Sequence, residues 1–177
     1  MVKKISCLFT LLLFVSCFTI RNNEGRVRTK LNRFSIKIRS DDSSIYSLID
    51  TAGIYMVVEN KYPNNEPIKI DSVTNGIKFY KNCRVGLFHD INLKNTNCLN
   101  PKLADMGFYN LNDDIVELEF LFYHVQSGNF ICKKEFTKVK VDTIIGFTKK
   151  TSTGGGYFTT YVKRELPKEF LIYKPDW

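Results

Sequence analysis

The chain has 177 residues, enough for one domain once a targeting segment is set aside. A composition of 44% hydrophobic and 14% aromatic residues excludes a disordered chain, and a mean hydropathy of −0.18 excludes a bundle of membrane-spanning helices. The formal net charge of +8 invites a nucleic-acid reading, but residues 1–40 hold nine basic residues against Glu24 alone, whereas Asp41 to Trp177 hold 17 of each sign. The folded part is therefore neutral, and a nucleic-acid-binding domain carries basic charge on its own surface.

Lys3 and Lys4 precede an uncharged run from Ile5 to Ile20, which Arg21 ends. As a helix these 16 residues span roughly 24 Å, short of the about 30 Å of a bilayer core and suited to a signal peptide. The run contains Phe14-Val15-Ser16-Cys17, which resembles the lipobox of bacterial lipoproteins, with Phe14 standing where Leu is usual. The resemblance implies cleavage after Ser16, a lipid on Cys17, and a place in the cell envelope, at the outer membrane facing the periplasm or the cell surface. It covers only the first 17 residues and implies no activity. The expected organisation is a signal peptide over 1–16, a lipidated basic tether over 17–48 and one β-domain over 49–177. Seven basic residues between Arg21 and Arg39 are expected to meet anionic lipid headgroups, each worth about 1 kcal/mol near such a surface. A solvated linker is the plainer alternative.

From about Asp50 the pattern becomes short strands and turns. Gly53 to Val58 is β-branched and aromatic. Asn75-Gly76 predicts a tight hairpin between Ile68–Ile70 and Ile77–Tyr80. Cys83, Val85 and Leu87 alternate with Arg84 and Gly86. Leu99 to Met106 allows one or two helical turns. Gly107-Phe108-Tyr109 leads to an Asn112-Asp113-Asp114 turn. Val116, Leu118, Phe120 and Phe122 then share one face, and Glu117 and Glu119 the other, with Lys138 and Lys140 as their expected cross-strand partners. Ser127-Gly128-Asn129 turns into Phe130-Ile131-Cys132. Val139 and Val141, Ile144 to Phe147, Tyr157 to Val162 and Phe170 to Tyr173 complete about eight to ten strands. This rhythm predicts an all-β fold, an antiparallel meander closed as a barrel or folded as a sandwich. The layout is similar to that of small lipocalin-like lipoproteins, in which a meander follows a tether. The likeness is architectural: no Gly-x-Trp stands near the first strand, and the only Trp is Trp177.

Chemistry-bearing residues are few. His89-Asp90 has no G-x-S-x-G elbow to serve, and reads as a satisfied loop histidine. Cys83, His89, Cys98, His124 and Cys132 match no metal-ligand spacing. No C-x-x-C occurs. The three cysteines beyond Cys17 allow at most one bridge, Cys83–Cys98 or Cys98–Cys132 among the candidates. Gly154-Gly155-Gly156 precedes no helix and cradles no phosphate in any recognised frame. No catalytic set and no cofactor motif is recognised. Tyr157 and Tyr161 share a strand face with Thr159, and would contact a ligand if that face lined a barrel mouth. The expected function is a lipid-anchored β-domain that binds a small apolar ligand or a protein partner. The alternatives are a purely structural envelope component or, with less support, an envelope hydrolase.

Overall fold

The structure, a computed structural model, describes residues 20–38, 45–68, 74–112, 115–126, 128–140, 142–149 and 155–177. The expected signal peptide with Cys17, and the expected strand and turn positions Ile70, Asp113, Asp114, Ser127, Val141 and Gly154, lie outside these residues, as do the side chains of Lys138 and Val139.

Two short strands, β1 (Ile20–Arg21) and β2 (Val27–Arg28), pair with each other. Eight more follow: β3 (Gly53–Lys61), β4 (Gly76–Phe79), β5 (Arg84–Phe88), β6 (Asp105–Asn112), β7 (Ile115–His124), β8 (Gly128–Lys140), β9 (Thr143–Lys149) and β10 (Gly156–Glu165). Each pairs antiparallel with the next, and β10 returns to β3, so the expected meander closes into a barrel with no free edge. No described helix is long and apolar enough to cross a membrane.

Side chains two apart point into the barrel. Val116, Leu118 and Phe120 of β7 are fully buried there, with Phe122 packed against them nearer the open end. Rings dominate the interior, meeting edge to face: Phe79 lies 5.5 Å from Tyr55 and 5.0 Å from Tyr109, centroid to centroid. Gly146 makes room for this packing, because a Cβ there would lie 2.6 Å from the ring of Phe136. One end of the barrel is stoppered by a single helical turn, α1 (Ile45–Leu48), whose Ile45 joins Ile49 in the interior cluster. Tyr55 and Tyr46 fasten the stopper, their hydroxyls accepting from the backbone N–H of Asp50 at 3.0 Å and of Asn82 at 3.1 Å.

Several expectations are corrected. Asn75-Gly76 is not a tight turn: Gly76 is the first residue of β4, opposite Met56, and does not have positive φ. Ile68 instead donates to Asn60 O at 2.8 Å, folding back on β3 through a turn at Tyr62–Asn65. Gly76 serves close approach, since a Cβ there would meet Met56 Sδ at 2.9 Å and Ile91 Cδ1 at 3.0 Å. Phe170 to Tyr173 is not a strand. Lys168–Phe170 forms a 3-10 turn, and Phe170 packs outside the barrel with Ile54, Phe88 and Leu99. Of the helical turns expected over Leu99 to Met106, only the 3-10 turn Pro101–Leu103 lies within that range; a second, Thr96–Leu99, precedes it, and Asp105 and Met106 already belong to β6.

The segment read as a tether differs most. Residues 20–38 lie on the outer wall, where Val27, Phe34 and Ile36 are buried against Met106, Phe108 and Leu121. The folded unit thus begins well before residue 49 and is basic rather than neutral, because it takes in Arg21, Arg26, Arg28, Lys30, Arg33 and Lys37 against Glu24 alone. Glu119, expected to face water, is 1% exposed, because this segment covers it. Its carboxylate accepts from Ser35 N at 2.7 Å, from Ile36 N at 3.3 Å and from the Ser35 hydroxyl. Its ion-pair partner is Lys133, at 3.5 Å, which the strand register sets opposite it in place of Lys138 or Lys140, and Glu117 stands opposite Glu135.

Candidate functional site

At the end of the barrel opposite α1, the described residues leave an open cavity of about 390 Å³. That is the lower end of the range, roughly 300–1,000 Å³, that holds small ligands. One wall is apolar. Leu87 comes from β5 and Phe122 from β7, and Phe122 stacks on Phe130 of β8 at 5.7 Å and 27°. The facing wall, built by β8, β10 and β3, carries Lys134, Tyr157, Thr159, Tyr161 and Asn60. Both sequence-expected residues, Tyr157 and Tyr161, therefore line the same cavity. Strand register places them: Lys134 lies opposite Thr148, Thr148 opposite Tyr157, and Thr159 opposite Asn60.

Lys134 was not singled out from the sequence, and it is the most unusual group in the site. Its side chain is 7% exposed and its Nζ donates to Tyr161 Oη at 3.0 Å. The same nitrogen lies 5.7 Å from the ring centroids of both Tyr157 and Tyr161, within cation–π range. Among the described residues no carboxylate lies within ion-pair distance of it. Burial works against the ammonium, but the neighbouring Tyr161 and Tyr157 outweigh it and hold the pKa above the ordinary lysine value. Lys134 is thus a cation at neutral pH, with two of its three hydrogens uncommitted. Around it, the buried Thr148 Oγ1, Thr159 Oγ1 and Asn60 Oδ1 have no hydrogen-bond partner. The signal was present in the chain, since Phe130, Cys132, Lys134 and Phe136 have one parity and Phe136 belongs to the core.

The other candidates are placed without forming a reactive set. His89 reaches the cavity rim, and its Nε2 lies 2.7 Å from Asp105 Oδ2, not bonded to Asp90; Arg26 holds the second Asp105 oxygen at 3.1 Å. Cys132 lines the cavity, but burial pushes its thiol pKa up, with Lys134 only partly opposing, so it is not poised as a thiolate. Among the described residues, no disulfide joins Cys83, Cys98 and Cys132 to one another. Among the described residues no three His, Cys, Asp or Glu side chains gather as metal ligands. No known protein-family model matches the chain, and no curated protein gives a significant match to its sequence.

Proposed function

We propose that this chain is an exported lipoprotein, held in the cell envelope by a lipid on Cys17, whose barrel binds a small amphipathic ligand at its open end. The observation that carries the ligand part is the division of the cavity into an apolar wall and a wall bearing a buried cation beside unpaired hydroxyls. Such a cavity suits a molecule whose apolar body lies along Leu87, Phe122 and Phe130. An acceptor group, most favourably an anionic one, then meets Lys134, because a buried ammonium gains most from a counter-charge. At roughly 30 Å³ per water-sized group, the volume holds about a dozen non-hydrogen atoms. The pattern from Lys3 to Cys17 supports the anchor. Lipid contact by the basic segment is the lesser part of this reading, because Arg26 and Arg28 are paired with Asp105 and Asp176 at 3.1 Å each, while Lys30 and Lys37 stay exposed.

Decanoate, decanol and decyltrimethylammonium, each titrated into the purified protein and followed by calorimetry, test the ligand part. Decanoate should bind most tightly. Lys134→Met should weaken it about tenfold, the worth of one hydrogen bond to a charged group, and weaken decanol clearly less. Equal affinity for all three probes would exclude the assigned role of Lys134. For the anchor, intact mass of membrane-extracted protein should show a lipid-modified N-terminal Cys17, and Cys17→Ala should abolish it.

A further inference from the structure

A second cleft lies on the outer wall near the stoppered end, distinct from the open-end cavity and independent of the reading above. It has a volume of about 570 Å³, and Lys78, Lys81, Arg84 and Lys174 line it with no Asp or Glu among the lining residues. The β4–β5 hairpin assembles it. Tyr80 N donates to Arg84 O at 2.8 Å across a tight turn, in which Asn82 and Cys83 take positive φ of 61° and 57°. The C-terminal residues close the other side, with Trp177 packed edge-on against Tyr80 at 6.3 Å.

Two of its polar groups are buried rather than set on the surface. Lys78 is 2% exposed and Tyr80 7%. Lys78 Nζ donates to Thr51 O at 3.1 Å and to Gly53 O at 3.4 Å and lies over the Tyr80 ring, 5.4 Å from its centroid, so its third hydrogen has no oxygen acceptor among the described residues. The Tyr80 hydroxyl is buried with no hydrogen-bond partner. The nearby acids are already engaged: Asp50 binds Lys163 at 3.1 Å and the N–H of Ala52 at 2.7 Å, and Asp176 binds Arg28 at 3.1 Å. A desolvated ammonium that no anion touches is costly. Burial accordingly pulls the Lys78 pKa down to about 8.

We propose that this cleft binds a small soluble phosphate ester, its phosphate taken between Lys78, Tyr80 Oη and Arg84, with Lys81 and Lys174 adding charge at the rim. A phosphate suits the site better than a carboxylate. Its dianion matches several cations, and its three oxygens can accept from an ammonium, a hydroxyl and a guanidinium together. Tyr173, at the cleft wall, offers a face for the rest of the ester.

The test uses the full chain in a phosphate-free buffer, titrated with inorganic phosphate and phenyl phosphate while backbone amide shifts are recorded. Saturable shifts should centre on Lys78, Tyr80 and Arg84, and phenyl phosphate should bind more tightly. Added salt should weaken both probes. Lys78→Met should reduce affinity about tenfold and Tyr80→Phe by about threefold or more, whereas Lys134→Met should change nothing. Lys78→Arg, which keeps the charge, guards against loss of folding and should retain most of the binding. Two outcomes overturn the proposal. One is the absence of saturable shifts with either phosphate probe in the native chain. The other is a response to phosphatidylglycerol vesicles with none to soluble phosphate, which would make the cleft a membrane-surface contact.

Discussion

The inner and outer walls of the barrel are held by different means. Inside, one continuous apolar cluster runs from Ile45 and Ile49 at the stopper to Leu87 and Phe122 near the opening, with aliphatic side chains packed around a set of edge-to-face rings. Outside, two separate apolar patches lie under chain segments, and each segment is pinned by a few directional bonds. Glu119 holds Ser35 and Ile36, while Arg28 holds Ala104 O at 3.1 Å, Pro101 O at 2.9 Å and Asp176. Non-directional packing depends on volume and fails all at once. Pinned segments depend on single acceptors and can detach while the barrel stays closed.

Breaking the inner wall should give the largest effect. Phe120 is fully buried and lies opposite Gly107 and Cys132, so Phe120→Ala leaves a cavity that neither neighbouring strand can fill. It should cost about 3–5 kcal/mol, read as a lowered denaturant midpoint with an unchanged slope. Glu119→Gln sharpens the contrast from the outer wall. It removes the charge that three donors and Lys133 share, at a cost of about 1–3 kcal/mol. Hydrogen exchange should show faster exchange at the Ser35 and Ile36 amides while β-strand amides stay protected. Equal loss of protection throughout the barrel would show that the outer segment is part of the same cooperative unit.

This contrast also explains what was legible in the sequence. The inner face of β7 could be read from Val116, Leu118, Phe120 and Phe122 alone, because a period of two is a property of neighbours on one strand. The burial of Glu119 could not, because what covers it comes from Ser35 and Ile36, 84 and 83 residues away. Residues 20–38 looked like part of a tether for the same reason: Phe34, Ile36 and Ile38 make only a short alternating patch in a basic segment, and the cluster around Phe108 gives them a partner. Asn75-Gly76 misled because the Asn-Gly pair marks a turn only when the flanking strands pair with each other, and Ile68 pairs with Asn60 instead. In the cavity, Tyr157 and Tyr161 follow from strand parity, and the same rule, applied from Phe130 to Phe136, places Lys134 beside them.

The smallest expected effect compares two buried lysines, one on each wall. Lys134, inside, is held above the ordinary lysine pKa despite burial, by Tyr161 and Tyr157. Lys78, outside, is lowered from 10.5 to about 8 by burial, which Asp50 only partly offsets. Between these two values the unfolded chain keeps a proton on Lys78 that the folded chain releases. The unfolded state then binds more protons, so the Lys78 contribution to stability rises with pH. From pH 7 to pH 9 the rise should be about 1 kcal/mol. Tyr80, Tyr109, Cys98 and Cys132 have raised pKa values through burial and act in the opposite sense, since the unfolded chain loses their protons first. They are common to native protein and Lys78→Met, and cancel in the difference. The stability gap between the two, from denaturant titrations in phosphate-free buffer, should therefore move in favour of the native chain as pH rises. The same comparison with Lys134→Met should give a flat difference over this range, because a lysine with a raised pKa is protonated in both states until well above pH 9. If the Lys78 difference were flat as well, the outer lysine would be as well compensated as the inner one, and the two walls would not differ in how they hold a charge.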